Sequence, residues 1–486
     1  MILTNLLLSV IVVVSTVWAW KHWILLKLSW KMRGVFPYVP FVGIAWRFLV
    51  QENLEVLDYV LKPFENVEEP IGMWLGTKFL IYVDNVKDVE TLLTSPNCVR
   101  DEMYQYIRDI TGVDGMFTSE SEKSRRHRRL VSPSFSEKSV LSYVTIFDRL
   151  SRDLIRDLKQ MANKEPFDIR RYISDCTLNA FVDAICGLDD IVAEERLIFH
   201  RNMKLGQSLV GKRLFLPWYW PEWIWKLSGL SELSKKVAED TDMIVVKAMK
   251  NILDNGTPKF TFIQRMLRIA ETNDEFTMDD VKAETITTLI AGTDTSAAAV
   301  AYTILLLAMH PEHQERVFEE IKTILPSKDT SVRSEHISQL TYLELCIKES
   351  LRLFPVVSLM SKMVKYGSIN LGGHDVRPGA SIVIGVNRIH RKFKYWGPDA
   401  NKFNPTRFLP ENFAKVNRFA YIPFSEGSRN CVGYKYAYAA MKTILANVLR
   451  NYRLTTPLKL EDLRVRMRVN IFLLNKHMVQ LFERNE

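Results

Sequence analysis

Residues 424–433 read FSEGSRNCVG, and the question they pose is what the sulfur of Cys431 is for. Gly427 and Gly433 bracket the cysteine, Arg429 adds a cation, and a helical pattern, YKYAYAAMKTILANVLRNY, begins at Tyr434. A thiolate near a helix N-terminus gains from the helix dipole and from free backbone N–H donors. The setting suits a stable thiolate, either as a metal ligand or as a nucleophile. A nucleophile needs a base; no histidine is close in sequence, although a distant one would serve. Glycines let the backbone approach a flat, bulky object. A thiolate with no companion ligands in sequence fits axial ligation of a haem iron, whose other positions come from the macrocycle.

Working outward, the remaining cysteines are Cys98, Cys176, Cys186 and Cys346. They are widely spaced and form no CxxC or Cys/His cluster, which argues against structural zinc and for inert thiols in a reducing compartment. Hydrophobic residues make up 47% of the 486, enough for a large core, and the composition excludes collagen-like, disordered and disulfide-scaffold classes. The net charge of +9 favours acidic partners or anionic membranes over nucleic acid.

The first twenty residues, MILTNLLLSVIVVVSTVWAW, carry no charge. Twenty helical residues span roughly 30 Å, the thickness of a bilayer core. Lys21, Lys27, Lys31 and Arg33 follow, and Trp18, Trp20 and Trp23 sit where an interfacial belt would lie. A cleaved signal peptide would want a basic residue before the apolar run and a small-x-small site after it, and neither is clear. The reading is a retained anchor over 1–20, with cations behind it that place the body in the cytosol. A basic, proline-containing linker covers 21–43, and 44–486 forms one catalytic domain.

GMWLGTKFLIYVD (72–84) reads as strands, and 86–330 as mostly helix. Residues 277–309 form one long helix, ended by His310-Pro311. Its middle is odd: Gly292 is poor in a helix, and Thr293, Asp294, Thr295 and Ser296 crowd polar groups into an apolar rod. Thr288, Ala291, Gly292 and Thr295 share a face, offering a groove with a hydroxyl and a carboxylate at its rim; the bland alternative is a packing glycine with exposed polar neighbours. ELCIKESLRLFP (344–355) places Glu349 and Arg352 at i, i+3, able to pair, and KFNPTRFLPENF (402–413) brings Arg407 as a third member of a charge cluster. GQSLVGKR (206–213) mimics a phosphate loop but has Arg213 where a Ser or Thr is needed and no strand before it. Trp218, Trp220, Trp223 and Trp225 are crowded enough to suggest an apolar patch that touches a membrane or covers a ligand entrance.

Taken together, these segments resemble the cytochrome P-450 superfamily. Phe424, Gly427, Arg429, Cys431 and Gly433 match its FxxGxRxCxG signature, and Ala291 to Ser296 resemble its oxygen-activation motif. Glu349 and Arg352 match its ExxR pair, and Pro405, Arg407 and Phe408 its PxRF segment. The resemblance covers the whole chain and is nearest the animal family-four clan. It implies a mainly α fold with a smaller β portion, a long central helix over haem b, and a microsomal anchor. Three departures stand out. Ser124 occupies the place of a tryptophan four residues before Arg128, the propionate-binding arginine, and Lys362 stands where an arginine often meets the second propionate. Ala291 replaces a glutamate that esterifies haem in many family-four members, so the haem is expected to be held without that link.

By resemblance the chain is a monooxygenase that inserts one oxygen atom of O₂ into a hydrophobic small molecule: fatty acid, terpenoid, hormone or xenobiotic. Thr295 would hold a water and Asp294 relay protons, while Gly292 makes room for oxygen. Glu349, Arg352 and Arg407 would support the cysteine loop. Electrons would come from an NADPH-dependent cytochrome P-450 reductase, with cytochrome b5 as a second donor. EKSRRHRRL (122–130), extended by Lys435 and Lys442, would be the basic landing surface. The implied location is the endoplasmic reticulum membrane, with no nucleic-acid partner. The rivals are a haem-thiolate isomerase or dehydratase of peroxides, whose relatives often lose the threonine and acid kept here, and a non-catalytic haem-binding protein.

Overall fold

The computed structural model describes residues 2–35, 39, 41–47, 61–64, 67–187, 193–255, 261–467 and 470–484. Pro37 and Pro40 of the linker lie outside them. The chain divides into two compact units.

The smaller unit comprises residues 1–102, 215–218 and 359–385. It begins with helix α1 (Ile2–Lys21), which coincides with the uncharged stretch, and α2 (Trp23–Lys31). Val12, Val13, Val17 and Trp20 are exposed on α1, whereas α2 buries Leu25 and Leu28. A six-stranded mixed sheet follows in the order Arg33–Gly34, Ile71–Leu75, Lys78–Val83, Ser381–Gly385, Leu359–Val364 and Cys98–Arg100. Its second and third strands are β-branched and aromatic, and Gly76 at φ 59° turns one into the other, pairing Ile71 with Tyr82. Helix α3 (Val86–Thr94) is capped by Asn85, whose Oδ1 accepts the Asp88 N–H at 2.9 Å.

The larger unit is helical. Its longer helices are α4 (Ser121–Val131), α5 (Val144–Lys159), α6 (Arg170–Phe181), α7 (Ala193–Phe215), α8 (Leu230–Asn255), α9 (Phe262–Thr272), α10 (Met278–Met309), α11 (Pro311–Ile324), α12 (Thr341–Leu353) and α13 (Tyr434–Asn451). A small sheet pairs Tyr452–Thr455 with Met478–Glu483 and the latter with Phe167–Asp168. Lys212 and Arg213 lie inside α7, so the phosphate-loop mimic is helix, in keeping with its rejection. The crowded tryptophans divide in two: Trp225 is buried under the Arg213 guanidinium at 4.8 Å, whereas Trp223 is exposed.

Helix α10 is the axis of this unit and packs against α6, α8, α9, α11, α12 and α13. Thr277 and Asp280 start it with reciprocal bonds, the Thr277 hydroxyl accepting the Asp280 N–H at 3.3 Å and the Asp280 carboxylate accepting the Thr277 N–H at 3.1 Å. Pro311 opens the next helix at a position that needs no N–H. The polar middle does not break the rod. The Thr293 and Thr295 hydroxyls donate back to the carbonyls of Leu289 (2.8 Å) and Ala291 (2.7 Å). Gly292 answers to a neighbour: a Cβ there would lie 1.8 Å from Phe181 Cζ, so its absence is what lets α6 close on α10. On that side the room a side chain would take belongs to Phe181.

Candidate active site

The cysteine loop is tightly wound. Ser425 and Gly427 take positive φ values of 60° and 77°, and the Cys431 N–H donates to the Phe424 carbonyl at 2.8 Å. Gly433 then opens α13. Its φ of −91° suits any residue, and the nearest atoms to a built Cβ are those of Phe135 at 4.0 Å. Among the described residues nothing demands glycine there, as expected if the space serves a bulky group.

Cys431 differs from its four counterparts. Cys176, Cys186 and Cys346 are buried, Cys98 is half-buried, and only Cys431 is exposed. Burial pushes the Cys176 and Cys186 thiols up to about 12, which makes them inert. The Cys431 thiol is also raised by desolvation, offset in part by the Gly433 N–H and the Arg128 guanidinium. The residue is thus exposed although the surrounding protein desolvates its thiol. A raised pKa disfavours a free nucleophile, but a metal cation deprotonates a coordinating thiol outright. Among the described residues no group of three His, Cys, Asp or Glu side chains could hold a metal. A metal that brings its other ligands with it, as haem iron does, suits such a lone thiol. The residues present fit that group.

The loop is locked from beneath. Arg352 is fully buried and spends all five of its N–H donors. Nε and Nη2 bind the Glu349 carboxylate at 2.6 and 2.8 Å; Nη1 donates to the carbonyls of His390 (2.9 Å) and Ala400 (2.6 Å), and Nη2 to that of Lys402 (3.1 Å). Arg407 approaches Glu349 at 3.5 Å and donates to the Trp396 and Asp399 carbonyls at 2.7 Å each. The three-residue charge cluster is thus assembled. Burial pushes the Glu349 carboxyl above its usual range, against the pull of Arg352. One member was missed in the sequence. His390 Nε2 accepts the Ile422 N–H at 2.8 Å, which ties the segment that Arg352 holds to the start of the cysteine loop. Burial and the Arg352 charge hold that imidazole neutral, its pKa lowered to about 3. A histidine closing the apolar run SIVIGVNRIH was the available signal.

On α10, Ala291 is exposed although most of the helix is buried, and the Thr288 hydroxyl is buried with no partner among the described residues. Thr295 is half-buried beside them. Asp294 lies apart from this face and is pinned. Arg170 donates to its Oδ1 at 2.9 Å, and Gln207 and Asn470 each donate to its Oδ2 at 2.9 Å. Although burial works the other way, these partners, Arg170 foremost, hold its carboxyl below the usual range.

Helix α4 is amphipathic. Ser124, His127 and Val131 are buried at i, i+3 and i+7, while Arg125, Arg126 and Arg129 are exposed. Arg128 donates through Nη1 to the Asn430 carbonyl at 2.6 Å and through Nη2 to the Asn430 side chain, so it reaches the residue before Cys431. The Ser124 hydroxyl donates to the Met116 carbonyl at 2.7 Å. Lys435 lies 3.5 Å from Glu137 at the surface. Lys442 departs from expectation: it is buried, paired with Glu344 at 2.6 Å and donating to the Ile337 carbonyl, so it is no part of a basic surface. Lys362 lies on the strand Leu359–Val364 of the smaller unit, opposite Arg100.

The comparisons agree with this geometry. The cytochrome P450 family model matches residues 34–481. A probable cytochrome P450 313a4 of Drosophila melanogaster is 32% identical over 471 residues, covering 92% of each chain. Cytochrome P450 4c3 of the same species is 30% identical, over 95% of this chain and 91% of its own. Cytochrome P450 4V2 of Rattus norvegicus is 28% identical, over 90% and 87%. A crystal structure of a cytochrome P450 (CYP102L1) superposes with a TM-score of 0.76 over 88% of this chain and 94% of that one, at 21% identity, and so shares the fold. With an open thiol on a locked loop, an axial helix and a family match over nearly its full length, the chain belongs to the cytochrome P450 family, the haem-thiolate monooxygenases.

Proposed function

We propose that this monooxygenase acts on a hydrophobic small molecule of the fatty acid, terpenoid, hormone or xenobiotic class, holds haem b through Cys431, and draws electrons from an NADPH-dependent reductase. The observation that carries the reading is the open Cys431 thiol on a loop locked by Glu349 and Arg352. Haem, when bound there, supplies oxygen activation under the electron push of the thiolate. The chain's residues do the rest. Phe424 and Gly433 flank the sulfur, and Arg128 and Arg429 would supply cations for the propionates. The Thr295 hydroxyl donates its hydrogen bond to the Ala291 carbonyl, which leaves its oxygen free to accept from a water. Asp294, an anion in its clamp, would take up a proton when one of its donors lets go and then hand it on. Gly292, by letting Phe181 in close, fixes how α10 presents this face.

Arg125, Arg126, Arg129 and Lys435 suit an acidic electron donor, the reductase or cytochrome b5, by charge complementarity. Helix α1, twenty residues with an uncharged interior and Lys21 at its end, suits a single-pass anchor in the endoplasmic reticulum with the body in the cytosol.

The test is the visible spectrum of the dithionite-reduced protein with and without carbon monoxide, beside Cys431→Ser. A strongly red-shifted Soret band, lost in the variant, supports the assignment. A band typical of imidazole or neutral-thiol ligation, or no haem in folded protein, overturns it. Reductase-dependent NADPH consumption then separates oxygen insertion from peroxide isomerisation.

A further inference from the structure

Glu284 has no part in the reading above, yet it is fully buried in the first third of α10. One of its oxygens does two things. Oε1 accepts the Met116 N–H at 2.7 Å and also the His127 Nδ1–H at 2.7 Å. His127 is equally buried, one residue before Arg128 on α4, with its ring edge on Phe276. The carbonyl of the same Met116 accepts the Ser124 hydroxyl at 2.7 Å and the Arg429 guanidinium at 3.2 Å. Both faces of a single peptide residue are therefore occupied. Its N–H leads to the central helix, and its carbonyl leads to α4 and to the cysteine loop.

We propose that Glu284 is a positioning residue for the haem site, holding Arg128 and Arg429 in place through His127 and Met116. Two buried donors on one oxygen require an acceptor at that atom, and a carboxylate makes such bonds about twice as strong as a neutral group does. The neighbouring charges support the same arrangement. Asp280, one turn back on α10, lies 3.7 Å from His127 Nε2 and 3.0 Å from Lys123, which also reaches Asp114 at 3.9 Å. The clasp thus joins three elements on the side of α4 that faces α10. Arg128, which leaves the same helix turn, reaches Asn430 beside the sulfur. Ser124 belongs to this clasp: its hydroxyl proton is spent on Met116, which leaves Arg128 as the residue of α4 that would meet the haem edge. Loss of the clasp would free α4 to shift and the two guanidinium groups to wander.

The inference rests on haem being held at Cys431, and the experiment keeps the two questions apart. Ferric holoprotein is mixed with excess apomyoglobin, and the rate of haem transfer is followed for wild type, Glu284→Gln, Glu284→Leu, Ser124→Ala and Arg128→Lys. Glu284→Gln keeps an acceptor oxygen and should release haem no more than about 3-fold faster; Glu284→Leu should release it at least 10-fold faster, and Ser124→Ala should fall between. The decisive readout is the double variant Glu284→Leu/Arg128→Lys. If Glu284 acts through Arg128, the double variant loses haem no more than about 2-fold faster than the faster single variant. Fully multiplicative effects would mean that Glu284 supports only general stability, and an unchanged release rate in Glu284→Leu would also overturn the proposal. Should Glu284→Leu not fold, Glu284→Gln and Ser124→Ala decide: wild-type release rates in both refute it. A wild-type protein without the red-shifted band refutes the haem assignment, whatever the variants do.

Discussion

Arg352→Ala removes a buried side chain with every donor in use. Its five donors serve one carboxylate and three carbonyls, those of His390, Ala400 and Lys402. Breaking a buried pair from one side costs roughly 3–5 kcal/mol, because the remaining charge is uncompensated. Each carbonyl left dry adds about 1–3 kcal/mol, less wherever water reaches it. The terms are not additive, but together they rival the 5–15 kcal/mol or so that holds a typical domain together. The damage should concentrate where those carbonyls lie. His390 is the link to Ile422 and so to the loop that carries Cys431. The expected outcome is protein that keeps helical circular dichroism but carries less than about a tenth of the wild-type haem per chain. Arg352→Lys, which keeps the charge but not the fork, should be intermediate.

A pH arm sharpens the test. Burial holds the folded Glu349 carboxyl above its usual value even with Arg352 present. A group with a raised folded pKa contributes its stability at low pH and loses it as pH rises through that value. Removing Arg352 raises the value further, so the stability deficit of Arg352→Ala should grow from pH 5 to pH 8 in thermal melts. Wild-type haem content in Arg352→Ala, or a deficit that shrinks as pH rises, would refute the reasoning.

Three further outcomes follow from the same geometry. Asp294 is held below the usual carboxylate range, so its stabilisation is present above the unfolded pKa, near 4, and is lost only as pH falls further; the melting-temperature gap between wild type and Asp294→Asn should be flat from pH 7 to 5, and a gap already closing at pH 6 would contradict the clamp. Gly292→Ala places a carbon 1.8 Å from the Phe181 ring and should cost about 1–3 kcal/mol by overpacking, seen in denaturant unfolding and partly relieved by Phe181→Leu. Arg125→Glu with Arg129→Glu should slow reductase-supported turnover several-fold and weaken its salt dependence, whereas Lys442→Gln should act through stability, because Lys442 is buried against Glu344.

What the sequence could tell follows from the range of the forces involved. The cysteine loop was legible because its chemistry is local: a thiol, two glycines and a helix start lie within eleven residues. The central helix was legible because its cap and its terminating proline are local too. Glu349 and Arg352 were readable as a pair, but their weight was not, since the carbonyls that make Arg352 indispensable lie 38 to 50 residues away. Asp294 looked like a free acid at a groove rim, and only the fold brings Arg170, Gln207 and Asn470 to it. Gly292 suggested space, and the fold fills that space with a ring from α6. Lys442 and His127 show the same limit from the other side. His127 lies in a run of cations and Lys442 is a cation itself, which a linear reading puts at the surface, and both are buried where a carboxylate from another helix meets them. For His127 the warning was present in the spacing of Ser124, His127 and Val131, a buried stripe running through a basic helix. Periodicity, weighed before charge, would have turned that residue inward toward Glu284.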